Sequence, residues 1–279
     1  MFRLLILCAM VATQVSGQEA GQAEYTPEKL HDHFRNEALS YEMKNDEGPF
    51  QLRENPLMHW QNPERNQEQG ATYIWEADGQ PQVLVSIFTY EWNNVVHCRH
   101  EVISLAEGPF ESRLHDELVW TPMTAGLQWT PIGESTPPSQ SAARRMFQLR
   151  SLAREFEGIL HHKRTGDAKL AMLPQPLLRY QSEAKGILDG AIFSFAVATD
   201  PEILLVIEAK QSDDGPLFQF APIRSNYNAL ELRRKQETVW ECPLVNELEQ
   251  TRAAQRPWSD NPFFVFTPTN PLPTPGSIE

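Results

Sequence analysis

"GATYIWEADGQPQVLVSI", residues 70–87, places two apolar runs on either side of Asp78-Gly79. Runs rich in β-branched and aromatic residues around an Asp-Gly pair are typical of a β-hairpin with a two-residue turn. The stretch "GAIFSFAVATDPEILLVI", residues 190–207, follows the same pattern, with Thr199-Asp200-Pro201 at the turn. The sequence therefore predicts two similar hairpins, one in each half of the chain.

The similarity between the halves extends beyond the hairpins. "PLMHWQ" (56–61) matches "PLLRYQ" (176–181), and "ESRLHDELVW" (111–120) matches "ELRRKQETVW" (231–240), always at an offset of 120. Between 55–120 and 175–240, 14 of the 66 aligned positions are identical without a gap. Matches spread evenly at one offset indicate an internal duplication.

A helix is predicted before each copy. Thr26-Pro27 suits an N-cap followed by proline in the first helical position. Apolar residues then recur at helical spacing at Leu30, Phe34, Ala38 and Tyr41. Before the second copy, Ser141 or a neighbour begins "AARRMFQLRSLAREFEGILHHK", whose apolar stripe consists of Leu149, Leu152, Phe156 and Leu160. This pattern predicts one helix that carries His161 and His162 at its C-terminal end.

The predicted class is α+β, internally duplicated, with each half one helix followed by about five or six antiparallel strands. The predicted organisation is a signal peptide at 1–17, a first repeat at 18–135, a second repeat at 136–268 and a proline-rich tail at 269–279. Within the second repeat, "LVNELEQTRAAQR" (244–256) predicts an additional helix, and the tail is expected to be extended.

The N-terminus and the charge balance restrict location and partners. Arg3, an apolar run over residues 4–12 and the small residues Val15-Ser16-Gly17 indicate a cleaved secretory signal, so export to the periplasm or the extracellular space is expected. No integral membrane segment is expected after cleavage. A net charge of −13 argues against nucleic acid as a partner. Cys98 and Cys242 are too few for a disulfide framework and are expected to be separate buried thiols.

The stretch that looks most like chemistry is "HCRHE", residues 97–101. In the register of the duplication, Cys98 and His100 align with Phe218 and Phe220, which follow a turn as a strand does. Side chains alternate along a strand, so Cys98 and His100 share one face and His97, Arg99 and Glu101 share the other. The side chains of adjacent residues in this stretch therefore do not converge on one point. No metal ligand, catalytic residue or cofactor is predicted.

Two interpretations of this strand remain open. In the first, His100 is a half-buried histidine that is hydrogen-bonded to a neighbour, while Arg99 and Glu101 face solvent. In the second, a polar ligand site lies between the two repeats, because the first copy kept polar residues where the second has apolar core residues. The residues predicted to line that ligand site are His59, His97, Arg99, His100 and Glu101.

The motifs "GATYIWEADGQPQVLVSIFTY", "ELVWTP", "LPQPLLRY" and "ELRRKQETVW" resemble a family of secreted bacterial proteins of planctomycete type, over most of the mature chain. That family has no assigned activity or site, so the resemblance implies export and nothing about chemistry. The expected function is a non-catalytic binding or scaffolding protein of the cell envelope that meets a protein or glycan. The alternatives are a small-molecule binder with its pocket between the repeats, or an exported hydrolase without a recognisable motif.

Overall fold

The computed structural model describes residues 26–65, 68–92, 95–133, 135–162, 166–245, 257–268 and residue 272. The predicted signal peptide lies outside the described residues. So do most of the predicted helix at 244–256 and all of the predicted tail except Leu272. Neither helix in the described part of the chain has the length and apolar content needed to cross a bilayer.

Two helices each begin a long series of strands. The first half contains α1 (Pro27–Leu39), β1 (Tyr41–Asn45), β2 (Gly48–Pro49), β3 (Gln51–Leu52), β4 (Met58–Asn62), β5 (Glu68–Ala77), β6 (Gln80–Trp92), β7 (Val95–Ser104), β8 (Glu111–Leu114) and β9 (Glu117–Pro122). The second half contains α2 (Ala142–Ala153), β11 (Phe156–His162), β12 (Gly166–Lys169), β13 (Ala171–Met172), β14 (Leu178–Ser182), β15 (Ile187–Val197), β16 (Asp200–Lys210), β17 (Leu217–Arg224), β18 (Ala229–Arg234) and β19 (Glu237–Cys242). Three short strands lie outside the halves: β10 (Thr130–Pro131), β20 (Trp258–Ser259) and β21 (Phe263–Phe266).

The described residues are mostly antiparallel sheet with two helices, which corresponds to an α+β or mainly β class. The described residues from α1 to β9 and from α2 to β19 each contain nine strands, more than the five or six that were expected. The extra strands are short segments of two to five residues beside the long ones, such as β2 and β3. Segments this short carry no periodicity, and only their pairing partners define them as strands.

Each half forms one small and one central sheet. The first small sheet has the order β2-β1-β8-β9-β20, and the second has the order β12-β11-β18-β19. The first central sheet has the order β21-β7-β6-β5-β3, with β4 also on β5, and the second has the order β10-β17-β16-β15-β13, with β14 also on β15. Among the described strands, all pairings are antiparallel except that of β20 with β9.

The central hairpins lie where the sequence predicts them. Asp78 and Gly79 form the turn between β5 and β6, with φ of 49° and 74°, which matches the left-handed pair that a tight hairpin turn requires. In β5, Tyr73 and Trp75 face the helix side of the sheet while Ile74 faces the other half. The alternation buries both faces, which explains the nearly continuous apolar sequence.

In each central sheet an aromatic ring lies so close to one strand position that only glycine fits there. A Cβ on Gly70 would lie 2.7 Å from the Trp60 ring, and a Cβ on Gly190 would lie 2.4 Å from the Tyr180 ring. Only glycine leaves room for these rings to lie flat over the strand. This contact accounts for the glycine that begins both quoted stretches.

The two halves are joined by exchanged strands and by a common core. β10, which follows the first half, pairs with β17, while β21 near the end of the chain pairs with β7. The faces of the central sheets that point away from the helices pack against each other through apolar residues, among them Ile74, Leu84, Ile192 and Leu204. Burying each such side chain stabilises the fold by about 1.5–3 kcal/mol.

The second predicted helix is too long. α2 ends at Ala153, and Phe156 to His162 form β11, so His161 and His162 lie on a strand rather than at a helix end. Phe156 and Leu160 are four residues apart, and this spacing suits one face of a helix and one face of a strand equally. Gly158 disfavours helix, and pairing with β18 favours the strand. Similarly, α1 ends at Leu39, and Tyr41 begins β1.

Candidate functional site

A polar junction lies where the end of β4 meets the turn between β15 and β16. The Gln61 N–H donates to Thr199 Oγ1 at 2.9 Å, and Asn62 Nδ2 donates to Asp200 Oδ2 at 2.9 Å. Arg65 Nη1 donates to the same Asp200 oxygen at 3.0 Å. Residues almost 140 positions apart in the chain therefore meet across the two halves.

Acidic side chains gather around this contact. Asp200 and Glu202 lie two residues apart on β16 and so point to the same face, toward Arg65. Glu101 of β7 is buried, and its charge interacts with those of Asp200 and Glu202. We call the following six residues the junction cluster: Arg65, Glu68, Arg99, Glu101, Asp200 and Glu202.

Burial dominates the electrostatics of the junction cluster. It raises the pKa of Glu202 to about 8, with Arg65 opposing the shift and Asp200 adding to it. Burial likewise raises the pKa of Glu68 to about 7 and that of Asp200 to about 6. The pKa of Glu101 also lies well above its ordinary value for the same first reason. Carboxyl groups with pKa values near neutrality are typical of functional sites as well as of buried ion-pair networks.

Glu202 is the least satisfied member of the junction cluster. Its side chain is 0% exposed, and Arg65 Nη2 lies 2.6 Å from Oε1. Arg65 is thus the cation paired with Oε1, while Oε2 has no hydrogen-bond donor among the described residues. A buried carboxylate normally has hydrogen-bond partners, which makes this group a point where a further donor would bind favourably.

The structure divides the five predicted site residues among three places. Glu101 belongs to the junction cluster, where it is 6% exposed, so the interpretation that it faces solvent is wrong. Arg99 lies on the same face at the rim, with its guanidinium 4.2 Å from the centre of the Tyr90 ring. His97 stacks on the same Tyr90 side chain, with 5.2 Å between the two ring centroids.

His59 lies apart from the junction cluster. It stacks on His31 of α1 at 3.8 Å between ring centroids, and burial together with His31 lowers its pKa. Both rings line a cavity of about 250 Å³ that also touches Thr199 of the second half. His59 thus lies at a boundary between the halves, on the helix side of the sheet.

His100 points away from the junction cluster, into the core beneath α1. Its Nδ1 lies 2.7 Å from Tyr41 Oη, and its Nε2 lies 3.7 Å from both Cys98 Sγ and Glu37 Oε2. His115 Nε2 lies 3.7 Å from the same Glu37 oxygen. We call these five residues the His100 cluster: Glu37, Tyr41, Cys98, His100 and His115. His100 is 0% exposed, so it is fully buried rather than half-buried.

The His100 cluster is electrically neutral in its interior. Burial lowers the pKa of His100 to about 3, assisted by His33 and His115, and burial raises the pKa of the Cys98 thiol. A thiol in this state is not a prepared nucleophile.

Cys98 and Cys242 are both free, and Cys242 accepts a hydrogen bond from Arg224 at 2.9 Å. Among the residues that the structure describes, no three His, Cys, Asp or Glu side chains are grouped so as to hold a metal ion.

Another cavity lies at the opposite end of the contact between the halves. It has a volume of about 540 Å³ and is lined by polar groups that already form ion pairs, including Arg53 with Glu76 at 2.9 Å and Arg179 with Asp189 at 2.7 Å. Its lining carries three acids, Glu47, Glu76 and Asp78, and two arginines, Arg53 and Arg179, so its excess of acid is smaller than that of the junction cluster.

Sequence reasoning missed Arg65, Glu68, Asp200 and Glu202. One signal was available in the alignment of the two halves at an offset of 120: Asp200 and Glu202 align with Gln80 and Gln82, so two acids stand where the first half has two amides on one strand face. That difference alone does not reveal Arg65, because its approach depends on how the halves pack.

No protein-family model, curated protein or solved structure matches this chain. Its function is therefore inferred from the geometry and charge of the two clusters.

Proposed function

We propose that this protein is a non-catalytic binding protein of the bacterial cell envelope, and that the junction cluster binds a ligand carrying a positively charged group. The observation that carries the proposal is an excess of acid in a buried place. Four carboxyl groups, those of Glu68, Glu101, Asp200 and Glu202, share two guanidinium groups. No other buried group of the described residues combines this charge excess with side chains from both halves.

Because of this excess of acid, some carboxyl groups of the junction cluster remain protonated at neutral pH when no ligand is bound. Ionising every carboxyl would leave two uncompensated negative charges in a poorly hydrated place, which is costly. An ammonium or guanidinium group of a ligand would supply the missing charge and donate to Glu202 Oε2, which has no donor among the described residues. Binding would then release protons from the carboxyl groups.

The rim of the cluster is suited to such a ligand. Glu68, Arg99 and His97 are partly exposed, whereas Glu101, Asp200 and Glu202 lie buried behind them. The Tyr90 ring already accepts the Arg99 guanidinium at 4.2 Å, which shows that a cation can lie on this aromatic face.

The two halves are proposed to be copies of one helix-plus-strands unit. The strand pairing of both central sheets supports this: His59 pairs with Ala71 and Arg179 with Ala191, while Ile87 pairs with His100 and Ile207 with Phe220. Each pair of the second half lies 120 positions after its counterpart. A duplicated scaffold brings two matching sheet faces together and leaves a junction that can specialise on one side.

Export to the periplasm or the extracellular space is likewise a proposal, and it rests on the pattern of residues 1–17 together with the family resemblance. In that setting the ligand would be an amine-bearing small molecule or the cationic group of an envelope component.

Calorimetric titration of the full mature chain tests the proposal. The probes are spermidine, arginine amide and choline, with acetate and glucose as anionic and uncharged controls. We expect at least one cation to bind, to release protons when two buffers of different ionisation enthalpy are compared, and to bind at least tenfold more weakly to Glu202→Gln.

Glu208→Gln is the matched control, because Glu208 is also buried but already accepts hydrogen bonds from Tyr180 at 2.7 Å and Gln219 at 2.9 Å. It should bind the cation as the parent chain does. Failure of every cation to bind, or equal weakening by Glu202→Gln and Glu208→Gln, would contradict the proposal.

A further inference from the structure

Three residues of the His100 cluster have phenylalanine at the corresponding places of the second half, whereas His115 aligns with Lys235. Cys98 and His100 align with Phe218 and Phe220, and Tyr41 has the place at the start of β1 that Phe156 has at the start of β11. The Tyr41 and His100 rings lie 5.7 Å apart, and the Phe156 and Phe220 rings lie 4.9 Å apart. The second half therefore forms the same strand pairing with phenylalanine in these places.

From this geometry we infer that Cys98 Sγ and His100 Nε2 bind one soft monovalent metal ion of the Cu(I) type. Thiolate sulfur and imidazole nitrogen are the donors that such an ion prefers. The two atoms are 3.7 Å apart. With bond lengths of about 2.3 Å to sulfur and about 2.0 Å to nitrogen, as zinc has, this separation corresponds to an angle of about 120° at the ion, and a linear two-ligand geometry requires the donors to move apart to about 4.3 Å.

Charge and coordination number both favour a monovalent ion. The described residues offer no three-ligand cage of His, Cys, Asp and Glu, whereas soft monovalent ions accept two ligands. Binding converts the Cys98 thiol to a thiolate, forms the metal–sulfur and metal–nitrogen bonds, and releases one proton to water. A thiolate with a monovalent cation is neutral, so the buried site gains no net charge. A divalent ion with the same two donors would leave one positive charge buried.

Tyr41 serves as a positioning residue for this site. Metal binding at Nε2 requires the proton of His100 on Nδ1, where it donates to Tyr41 Oη at 2.7 Å. Glu37 and His115 lie between the buried pair and the surface, with side chains that are 15% and 48% exposed. Glu37 Oε2 is buried without a hydrogen-bond partner and lies 3.7 Å from His100 Nε2.

Anaerobic titration of the full mature chain with Cu(I), against a chromophoric Cu(I) chelator, tests the inference. We expect one equivalent of Cu(I) to bind. Cys98→Ser and His100→Asn should each weaken binding at least tenfold, and Tyr41→Phe should weaken it severalfold. Cys242→Ser is the control and should bind like the parent chain, because Cys242 faces Arg224 instead of a histidine. Circular dichroism of each variant verifies folding.

Three outcomes would overturn the inference: no Cu(I) uptake, uptake that depends on Cys242 instead of Cys98, or tighter binding of Zn²⁺ than of Cu(I). If His100→Asn does not fold, Cys98→Ser and Tyr41→Phe still decide the matter. The site is separate from the junction cluster, so Glu202→Gln should leave Cu(I) binding unchanged.

Discussion

The cores beneath α1 and α2 occupy matching places in the two halves but differ in chemistry. Beneath α1, Tyr41 and His100 form a buried hydrogen bond, whereas beneath α2 Phe156 and Phe220 form an aromatic contact. Both pairs lie within apolar surroundings that include the inner faces of long strands. Backbone pairing therefore fixes where a side chain lies, while the side chain itself decides whether that position is apolar core or a polar cluster.

The largest expected effect comes from moving the histidine to the apolar side. Phe220→His should destabilise the protein by about 3–5 kcal/mol, because apolar contacts are lost and the imidazole has no hydrogen-bond partner. Adding Phe156→Tyr should restore about 1 kcal/mol by supplying a hydroxyl. Urea unfolding measures both effects. Phe147→His, on the exposed side of α2, is the control and should change stability by less than about 0.5 kcal/mol.

The next effect is the pH dependence that His100 imposes. Its pKa is about 3 in the folded chain against 6.5 ordinarily, so below pH 6.5 the unfolded chain binds a proton that the folded chain does not. Stability should therefore fall by on the order of 2–4 kcal/mol between pH 6.5 and 3. The double variant Tyr41→Phe with His100→Phe recreates the pair of the second half. Urea midpoints across this range should decline less steeply for it, and equal slopes would contradict this account.

A smaller effect is expected from removing only the hydroxyl. Tyr41→Phe leaves His100 Nδ1 buried without its partner and should cost about 1–3 kcal/mol. Tyr90→Phe is the matched control, because the Tyr90 hydroxyl makes only an exposed 3.5 Å contact with Thr267. Thermal and urea unfolding should separate the two variants. A loss for Tyr41→Phe no larger than that for Tyr90→Phe would show that the buried hydrogen bond contributes little.

The smallest effect extends the comparison to the junction face, where Glu202 aligns with Gln82. The folded pKa of Glu202, about 8, exceeds its ordinary 4.5, so this group destabilises the fold as pH rises from 4.5 to 8. Glu202→Gln should increase stability by about 1–2 kcal/mol near pH 9, with less gain near pH 6, since neighbouring carboxyls share the protons. Glu76→Gln, in the exposed pair with Arg53, should change stability equally at both pH values.

Sequence reasoning was strongest for the central hairpins and weakest at the boundaries of short elements. The Asp78-Gly79 turn and the two faces of β7 followed from turn chemistry and from alternation. The extent of α2 did not, because Phe156 and Leu160 suit a helix and a strand alike. For the site, His97, Arg99 and Glu101 were placed on the correct common face, but His59 lies on the opposite face of the sheet and Arg65 was missed.

The hairpins and the alternation that separates His100 from Glu101 follow from the amino-acid sequence alone, because turn conformation and strand periodicity depend on neighbouring residues. The pairing of β10 and β21 with the opposite central sheets, and the contact of Arg65 with Asp200 and Glu202, follow only from the packing of the two halves. Those contacts join residues more than 80 positions apart. They depend on how two apolar sheet faces pack together, which no local pattern encodes.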